Sequence, residues 1–281
     1  MSNRPIDEID YWSEIKLDII KEYATAYSKI MRAQKKIKKY AYIDGFAGTG
    51  IHLSKTSGQM VAGSPLNALW VDPPFMEYHF IDLDGGCAEN LRQLTAGKSN
   101  VNVHEGDCNS ILIKDVFPKY HFRDFRRAIC LLDPYKINID WEVVRTAGAM
   151  GSIEIFYNFM IMDANRNVFW RDPEKVKEPQ RKRMDSVWGD RSWRDAVYRK
   201  TRDLFGEYEE KECNEAVVEA FRQRLKKVAG FAYVPEPIPM RNSTGAAIYY
   251  LFFASPNKTG NKIVQDIFKK YKDKGLRTNG S

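Results

Sequence analysis

The 281-residue chain is poor in the features that define several protein classes. It has four cysteines, Cys87, Cys108, Cys130 and Cys213, far apart and with no CxxC spacing. That excludes a disulfide framework or a cysteine zinc site, and it points to reduced thiols in a cytoplasmic protein. No apolar run approaches the roughly 20 residues that a membrane-spanning helix needs. The first thirty residues carry Arg4, Asp7, Glu8, Asp10, Glu14 and Lys16, which is not the pattern of a signal peptide. Histidine is scarce: His52, His79, His104 and His121 share no ligand spacing, so no metal is assigned. Internal repeats and low-complexity tracts are also missing.

What is present is a globular composition. The chain is 43% hydrophobic and 13% aromatic, too apolar for a disordered polymer and long enough for one or two domains. Forty-four lysines and arginines face 37 acids, a net charge of +7. Net charge speaks to partners rather than to fold. Residues 166–202 hold 12 bases and 6 acids, with Trp170, Trp188, Trp193 and Tyr198 interleaved. Cations that displace phosphate counterions, beside rings that stack on bases, make this segment the expected nucleic-acid surface. Arg181, Lys182 and Arg183 are its densest point. The competing reading is a solvated helical subdomain whose tryptophans form its own core. Two lesser runs, Lys35, Lys36, Lys38 and Lys39 near the start and Lys269, Lys270, Lys272 and Lys274 near the end, read as solvated helix faces.

Periodicity divides the chain. Trp12, Ile15, Ile19, Tyr23, Tyr27 and Ile30 recur at helical gaps and predict one amphipathic helix over 10–38. Strands are expected at 40–44, 78–82, 101–104, 128–133 and 153–159, with helices between them. One of these covers Pro65–Val71 with Ser64 as its cap, and others cover 87–95, 109–116 and 141–149. AICLLD, residues 128–133, is the most apolar strand and is expected at the centre. Strict alternation implies βαβ units and a mostly parallel sheet covered on both faces. Residues 160–228 then read as wholly helical and hydrophilic, before strand character returns at 231–239 and 247–255 and a last helix covers 258–272. The expected organisation is an N-terminal helical extension (1–39), a core (40–159), a basic helical insertion (160–228), and the last two strands and helix completing the core (229–281).

Four strand ends carry chemistry. DGFAGTG, Asp44 to Gly50, follows the first strand, where glycines let the backbone turn and approach a ligand. The spacing is neither G-x-G-x-x-G nor a P-loop, so dinucleotide and triphosphate readings are disfavoured. The polar stretch His52–Gly63 beyond it is a candidate lid. Asp82, ending the second strand, is placed to accept both hydroxyls of a ribose, and Asp107 after the third to accept from an adenine amino group; each reads otherwise as a turn acid. Asp133, Pro134 and Tyr135 follow the fourth strand. The carboxylate accepts from an amine or hydroxyl, the proline fixes the turn and leaves a free carbonyl, and the ring offers a stacking face. Asn165 and Arg166 follow the fifth strand, either at the mouth of the same cleft or as a helix cap and a solvated arginine.

These strand ends, in this order, resemble class I methyltransferases that use S-adenosylmethionine. The resemblance covers residues 40–160 and the two late strands. It implies an α/β Rossmann-like doubly wound sheet with a helical insertion before the last two strands. It also implies that Asp44, Gly45, Phe46, Ala47, Gly48 and Gly50 hold the methionine part of the cofactor, Asp82 its ribose and Asp107 its adenine. Asp133-Pro134-Tyr135 resembles the aspartate/asparagine-proline-proline-aromatic signature of enzymes that methylate exocyclic amines of nucleic-acid bases, with one proline in place of two. In those enzymes the base is taken out of its stack and held by that element. A further resemblance rests on Trp12 and Lys16, the YID–FAG–G loop, GSPLNAL (63–69), FIDLD, GD, LLDPY and the NRN tripeptide. Together these are similar to the three-Cys-motif partner family, whose members are often encoded beside a radical-SAM-type protein, so such a protein is an expected partner. The expected activity is methylation of a nucleic-acid base, with an adenine amine favoured. Methylation of a small molecule or protein, and a non-catalytic nucleic-acid-binding subunit, remain the alternatives.

Overall fold

A computed structural model describes residues 7–203, 206–242 and 244–278, with side chains to residue 272 apart from Asp203. Arg4, the side chain of Lys274 and the end of the chain lie outside the described residues. The elements run β1 (Glu8–Ile9), α1 (Tyr11–Ala33), β2 (Lys39–Asp44), β3 (Ile51–Ser54), β4 (Met60–Ala62), α2 (Ser64–Leu69), β5 (Glu77–Asp82), α3 (Gly85–Leu94), β6 (Val101–Glu105) and α4 (Cys108–Ile111). Then come β7 (Arg126–Leu132), α5 (Trp141–Met150), β8 (Ile153–Phe159), α6 (Ile161–Asn167), α7 (Glu178–Trp188), α8 (Trp193–Val197), β9 (Tyr198–Asp203) and β10 (Gly206–Lys211). The chain closes with α9 (Asn214–Lys227), β11 (Ile238–Arg241), β12 (Ala247–Ala254) and α10 (Lys258–Thr278).

Strands covered on both faces read as continuous apolar runs. β8 is buried at all seven of its positions and β7 at its last five, so both belong in the interior of a sheet. They do: the seven-stranded sheet has the order β11-β12-β8-β7-β2-β5-β6, with β7 in the middle. β8, β7, β2, β5 and β6 are parallel, and β12 runs antiparallel between β8 and β11. This is the class I methyltransferase arrangement. The chain leaves β2 toward one edge and returns at β7, so the connections that follow these two central strands lead to opposite sides of the sheet. That switch point opens a crevice.

One face is covered by α1 and α10, through Ile19, Tyr23, Tyr27, Val264 and Phe268. The other is covered by α5 and by the segment after β8, whose Phe169, Trp188, Trp193 and Phe221 share the core with Ile155 and Phe159. The tryptophans at 188 and 193 are therefore core, 2% exposed each, and do not form a stacking surface. α1 starts where Asp10 accepts the Ser13 amide at 3.0 Å. It stops at Ala33, and Lys35, Lys36 and Lys38 stand in the loop that follows rather than on a helix face. α2 is capped by Gly63, one residue earlier than expected.

Two expectations are corrected, and the candidate lid takes a defined form. The segment 160–228 is not all helix: β9 and β10 form an antiparallel hairpin. Both strands are polar on both faces, so no period of two marks them. Their register sets Arg199 opposite Glu210, Lys200 opposite Glu209 and Arg202 opposite Glu207, which are favourable cross-strand pairs. The basic run thus carries its counter-charge on the next strand, and residues 160–228 hold 17 bases against 14 acids. Next, 52–63 is a hairpin, β3–β4, with β1 laid along it: Leu53 N donates to Asp7 O (3.0 Å) and Lys55 N to Ile9 O (2.9 Å). Last, 231–239 is mostly irregular because Pro235 and Pro237 cannot donate to a ladder. Ile238–Arg241 pairs as a strand, at the sheet edge where Pro239 is tolerated, and Tyr233 makes a single bridge to Ser255.

Glu154 is the polar exception inside β8. Its carboxyl is buried between Tyr23 and Ser255, whose hydroxyls donate to it. Burial raises it to about 7, against those hydrogen bonds. The folded-state value lies above the unfolded one, so this group's contribution is complete below the ordinary carboxyl range and is lost as pH rises through 7. Glu154→Gln removes that loss. In urea titrations at pH 5 and pH 8, the variant should gain on the wild type by up to about 3 kcal/mol over that interval. Parallel stability curves would refute it.

Candidate active site

The crevice is built from the ends of β2 and β7. Asp44 closes β2 fully buried, and its Oδ1 accepts the Phe46 amide at 3.1 Å, tightening the turn. The glycine loop then threads between neighbours: Gly45 N donates to Leu131 O (2.9 Å) and Ala47 N to Ile81 O (3.0 Å). A Cβ on Gly45 would lie 2.7 Å from Cys108 Sγ, so only glycine fits that approach. Gly48 and Gly50 have φ of +61° and +83°, conformations that favour glycine. Asp82, ending β5, locks the loop, since Oδ2 accepts Gly48 N and Oδ1 accepts Asp84 N, both at 2.8 Å. Leu83 beside it is 77% exposed. Asp107 is exposed and caps α4, accepting Ser110 N at 2.9 Å.

Asp133 is clamped. The Lys16 ammonium of α1 donates to Oδ2, and the Asn158 amide of β8 donates to Oδ1. The Lys16 side chain is only 10% exposed. Burial alone would lower its pKa, but Asp133, Tyr249 and Asp44 outweigh that and hold the ammonium above the usual lysine range. Asp44 has the opposite balance: burial raises its carboxyl to about 7, only partly offset by hydrogen bonds. Pro134 is buried, and Tyr135 is 72% exposed with its hydroxyl donating to Asp7 Oδ2 at 3.1 Å.

These groups surround an open cleft of about 260 Å³. Phe46, Ala47 and Gly48 line one side and Lys16, Asp133, Pro134 and Tyr135 another, with Asp7–Ile9, His52 and Tyr249 completing the wall. Asp44 and Asn158 stand just behind this lining, Asp82 is tied to it through Gly48, and Asp107 lies outside it. Among the described residues, eight buried side-chain polar atoms have no hydrogen-bond partner. Five of them, Tyr42 OH, Asp44 Oδ2, His52 Nδ1, Asn158 Oδ1 and Tyr249 OH, belong to this cleft and the strands beneath it. Buried polar atoms are almost always satisfied, so their concentration here marks a place for a polar ligand. No group of side chains among the described residues has the makings of a metal site.

The residues expected to grip substrate divide differently. The Asn165 side chain donates to Asn214 (2.9 Å) and accepts from Lys211 (2.7 Å), inside the insertion. Arg181 holds the carbonyls of Val176 (2.8 Å) and Glu174 (3.1 Å). Arg183 pairs with Asp163 at 3.1 Å, and the same Asp163 oxygen accepts the Ile137 amide at 2.9 Å, which ties the insertion to the loop after Tyr135. Arg166 and Lys182 are exposed, and no acid among the described residues pairs with either. Sequence reasoning missed the clamp on Asp133. Its signals were a lysine on the apolar stripe of α1, four residues after Trp12, and an asparagine inside a buried strand.

No family model matches the chain, and no curated protein matches it in sequence. Among solved structures, protein LPL1258 from Legionella pneumophila has a TM-score of 0.53 at 11% identity, covering 91% of this chain and 92% of that one. A protein provisionally named an S-adenosylmethionine dependent methyltransferase, from Listeria monocytogenes, has a TM-score of 0.42 at 12% identity, covering 84% of this chain and 99% of that one. The first likeness shows a shared fold, and the second is too loose to carry an argument. Neither carries the resemblance to the three-Cys-motif partner family.

The clamp has a measurable consequence. Removing one member of a largely buried ion pair leaves the other charge uncompensated, at about 3–5 kcal/mol. Lys16→Met should lower unfolding free energy by about 3 kcal/mol, and a double-mutant cycle with Asp133→Asn should show coupling above roughly 1 kcal/mol. Additive losses would mean that the pair does not hold the site together.

Proposed function

We propose that the protein transfers a methyl group from S-adenosylmethionine to a nitrogen of a planar substrate, with the exocyclic amine of a nucleic-acid base, adenine above all, as the favoured target. The observation that carries this reading is the position of Asp133-Pro134-Tyr135. The element stands at the sheet's switch point and forms one wall of a cleft whose other wall is the glycine loop.

The residues present fit the cofactor. Asp44 Oδ2 is a buried acceptor without a partner and suits the ammonium of the methionine part. Gly48 and Gly50 keep the loop open. Asp82 sits at a strand end with lone pairs left for ribose hydroxyls, and exposed Leu83 offers an apolar surface beside them. Asp107, already a helix cap, has an exposed carboxylate for an amino group. The bound cofactor supplies a methyl group already activated on a sulfonium. The chain's own task is to align the nucleophile and exclude water. Asp133, fixed by Lys16 and Asn158, orients amine hydrogens with its remaining lone pairs, the Pro134 carbonyl is a second acceptor, and the Tyr135 ring stacks on the substrate plane.

Exposed Arg166, Lys182 and their neighbours within 166–202 are the part of the insertion that suits a polyanion. A radical-SAM-type partner belongs to this reading on the family resemblance alone. A second reading, methylation of a small planar molecule, is favoured by the Tyr135–Asp7 hydrogen bond across the cleft mouth and by the internal engagement of Arg181 and Arg183.

Calorimetry with S-adenosylmethionine should show micromolar binding, weakened at least about tenfold by Asp82→Ala, the factor that 1.4 kcal/mol represents. Label transfer from methyl-tritiated cofactor to RNA or DNA should fall about a hundredfold in Asp133→Ala and Tyr135→Ala while cofactor affinity holds. Intact cofactor binding without label in nucleic acid would leave the small-molecule reading. Absence of cofactor binding would remove both.

A further inference from the structure

The carboxyl ends of the strands hold the cleft. The opposite edge, where β2, β5 and β7 begin, is roughly 20 Å away along the strands and carries a surface that the methyl-transfer reading does not use. Two segments meet there. Residues 34–39 contain four lysines and no acid, and residues 117–127 contain Lys119, Arg123, Arg126 and Arg127 against the single Asp124. Eight bases face one acid, a surplus of seven, equal to that of the whole chain. About 80 residues separate the two segments in sequence. Parallel pairing of β2 with β7 makes them neighbours: Lys39 is opposite Arg126, and Lys38 N donates to Phe125 O at 2.9 Å. Lys39 is paired with Glu77 at 3.1 Å. Lys35, Lys36, Lys38 and Arg123 are exposed, and no acid among the described residues pairs with them.

Aromatic rings lie among these cations and face solvent. Phe122 is 55% exposed and Phe125 42%. The Arg127 guanidinium lies 3.9 Å from the centre of the Phe122 ring, and the Lys38 ammonium 5.9 Å from that of Phe125. Phe125 has φ of +57° and is the one non-glycine residue with positive φ among the described residues. A bulky side chain in that region is held at a cost in conformational energy, and here the cost supports an exposed ring rather than a core contact. Grooves of about 390 Å³ and 690 Å³ flank Phe122, the first lined by Gln34, Arg127, Glu154 and Lys258, the second by Arg123, Asp124 and Arg145, the last paired with Glu142 at 2.6 Å.

Cations that follow a groove, with partly exposed rings beside them, are the elements of sequence-tolerant binding to unpaired nucleotides, because every base has a face to stack. A duplex hides those faces. The geometry points to a single-stranded nucleic-acid-binding surface on the amino edge of the sheet, in which Phe122 and Phe125 stack on bases while Lys35, Lys36, Lys38 and Arg123 take phosphates. The assignment stands whether or not the cleft transfers methyl groups.

The test uses the full chain with fluorescent 20-mers of oligo(dT) and oligo(U), the matching duplexes, and phosphatidylserine vesicles. The wild type should bind the single strands in preference to the duplexes, with affinity falling steeply as KCl rises. The triple variant K35E/K36E/K38E should reduce the slope of log K against log[salt] by about 2, the expectation for three lost contacts on a single strand. Phe122→Ala and Phe125→Gly should each weaken binding roughly tenfold, and Phe125→Gly should keep or raise thermal stability because glycine suits its φ. Charge reversal at Lys269, on the solvated face of α10 and outside both basic surfaces, should leave the slope unchanged. The inference is overturned by absent binding, a slope indifferent to the triple variant, ring variants that bind as the wild type does, or charge-dependent binding to vesicles instead of oligonucleotides.

Discussion

The contact between Lys16 and Asp133 joins the parts of this molecule that make the cleft. One partner comes from α1, the other from the turn after the central strand, and Asn158 of β8 completes the clamp. The ammonium is almost fully enclosed, so it needs its carboxylate: an isolated charge there would face a desolvation cost that neither α1 nor the sheet could offset. Asp44 lies close enough to add to the field and, being buried, moves toward its neutral form. The result is a fixed acceptor at the switch point. N-terminal residues 7–9, tied to the β3–β4 hairpin and to Tyr135, wall the same space, so helix, hairpin and strand ends form one unit around it.

Charge in this protein is organised by pairing rather than by amount. The basic stretch after β8 meets acids on the adjacent strand and across short loops, as in Arg199 with Glu210 and Arg194 with Glu174 and Glu209. These exposed pairs contribute little stability each, about 0–1 kcal/mol, but they cancel much of the field that a polyanion would feel. At the amino edge of the sheet the cancellation is smaller: Glu77 engages Lys39 and Tyr120, while Lys35, Lys36, Lys38 and Arg123 have no acid paired with them among the described residues. Two surfaces with similar composition therefore present different potentials.

Much of the fold was legible in advance, for identifiable reasons. β7 and β8 are long apolar runs that must be interior, and strict alternation with short connections leaves few topologies. Asp44, Asp82 and Asp133 stood out because each is an acid where a buried strand surfaces. Other features left weaker traces. The β9–β10 ribbon is polar on both faces and has no period to read. Asp107 looked like a ligand acid by position, while its carboxylate also has the local task of capping α4. Asn158 and Glu154 sit within a strand whose other residues are apolar, and each proved to be a node where α1 meets the sheet.

The sequence by itself determined the order of elements, the parallel core and the acids at its strand ends, because burial, periodicity and turn chemistry act over short stretches of chain. Only the tertiary structure decided which charges are neighbours. Lys16 and Asp133 are 117 positions apart, Arg202 faces Glu207 across a turn, and the lysines after α1 lie beside the arginines that open β7. Electrostatic interaction depends on distance and on exclusion of water, and strand pairing sets both through contacts that local sequence does not encode.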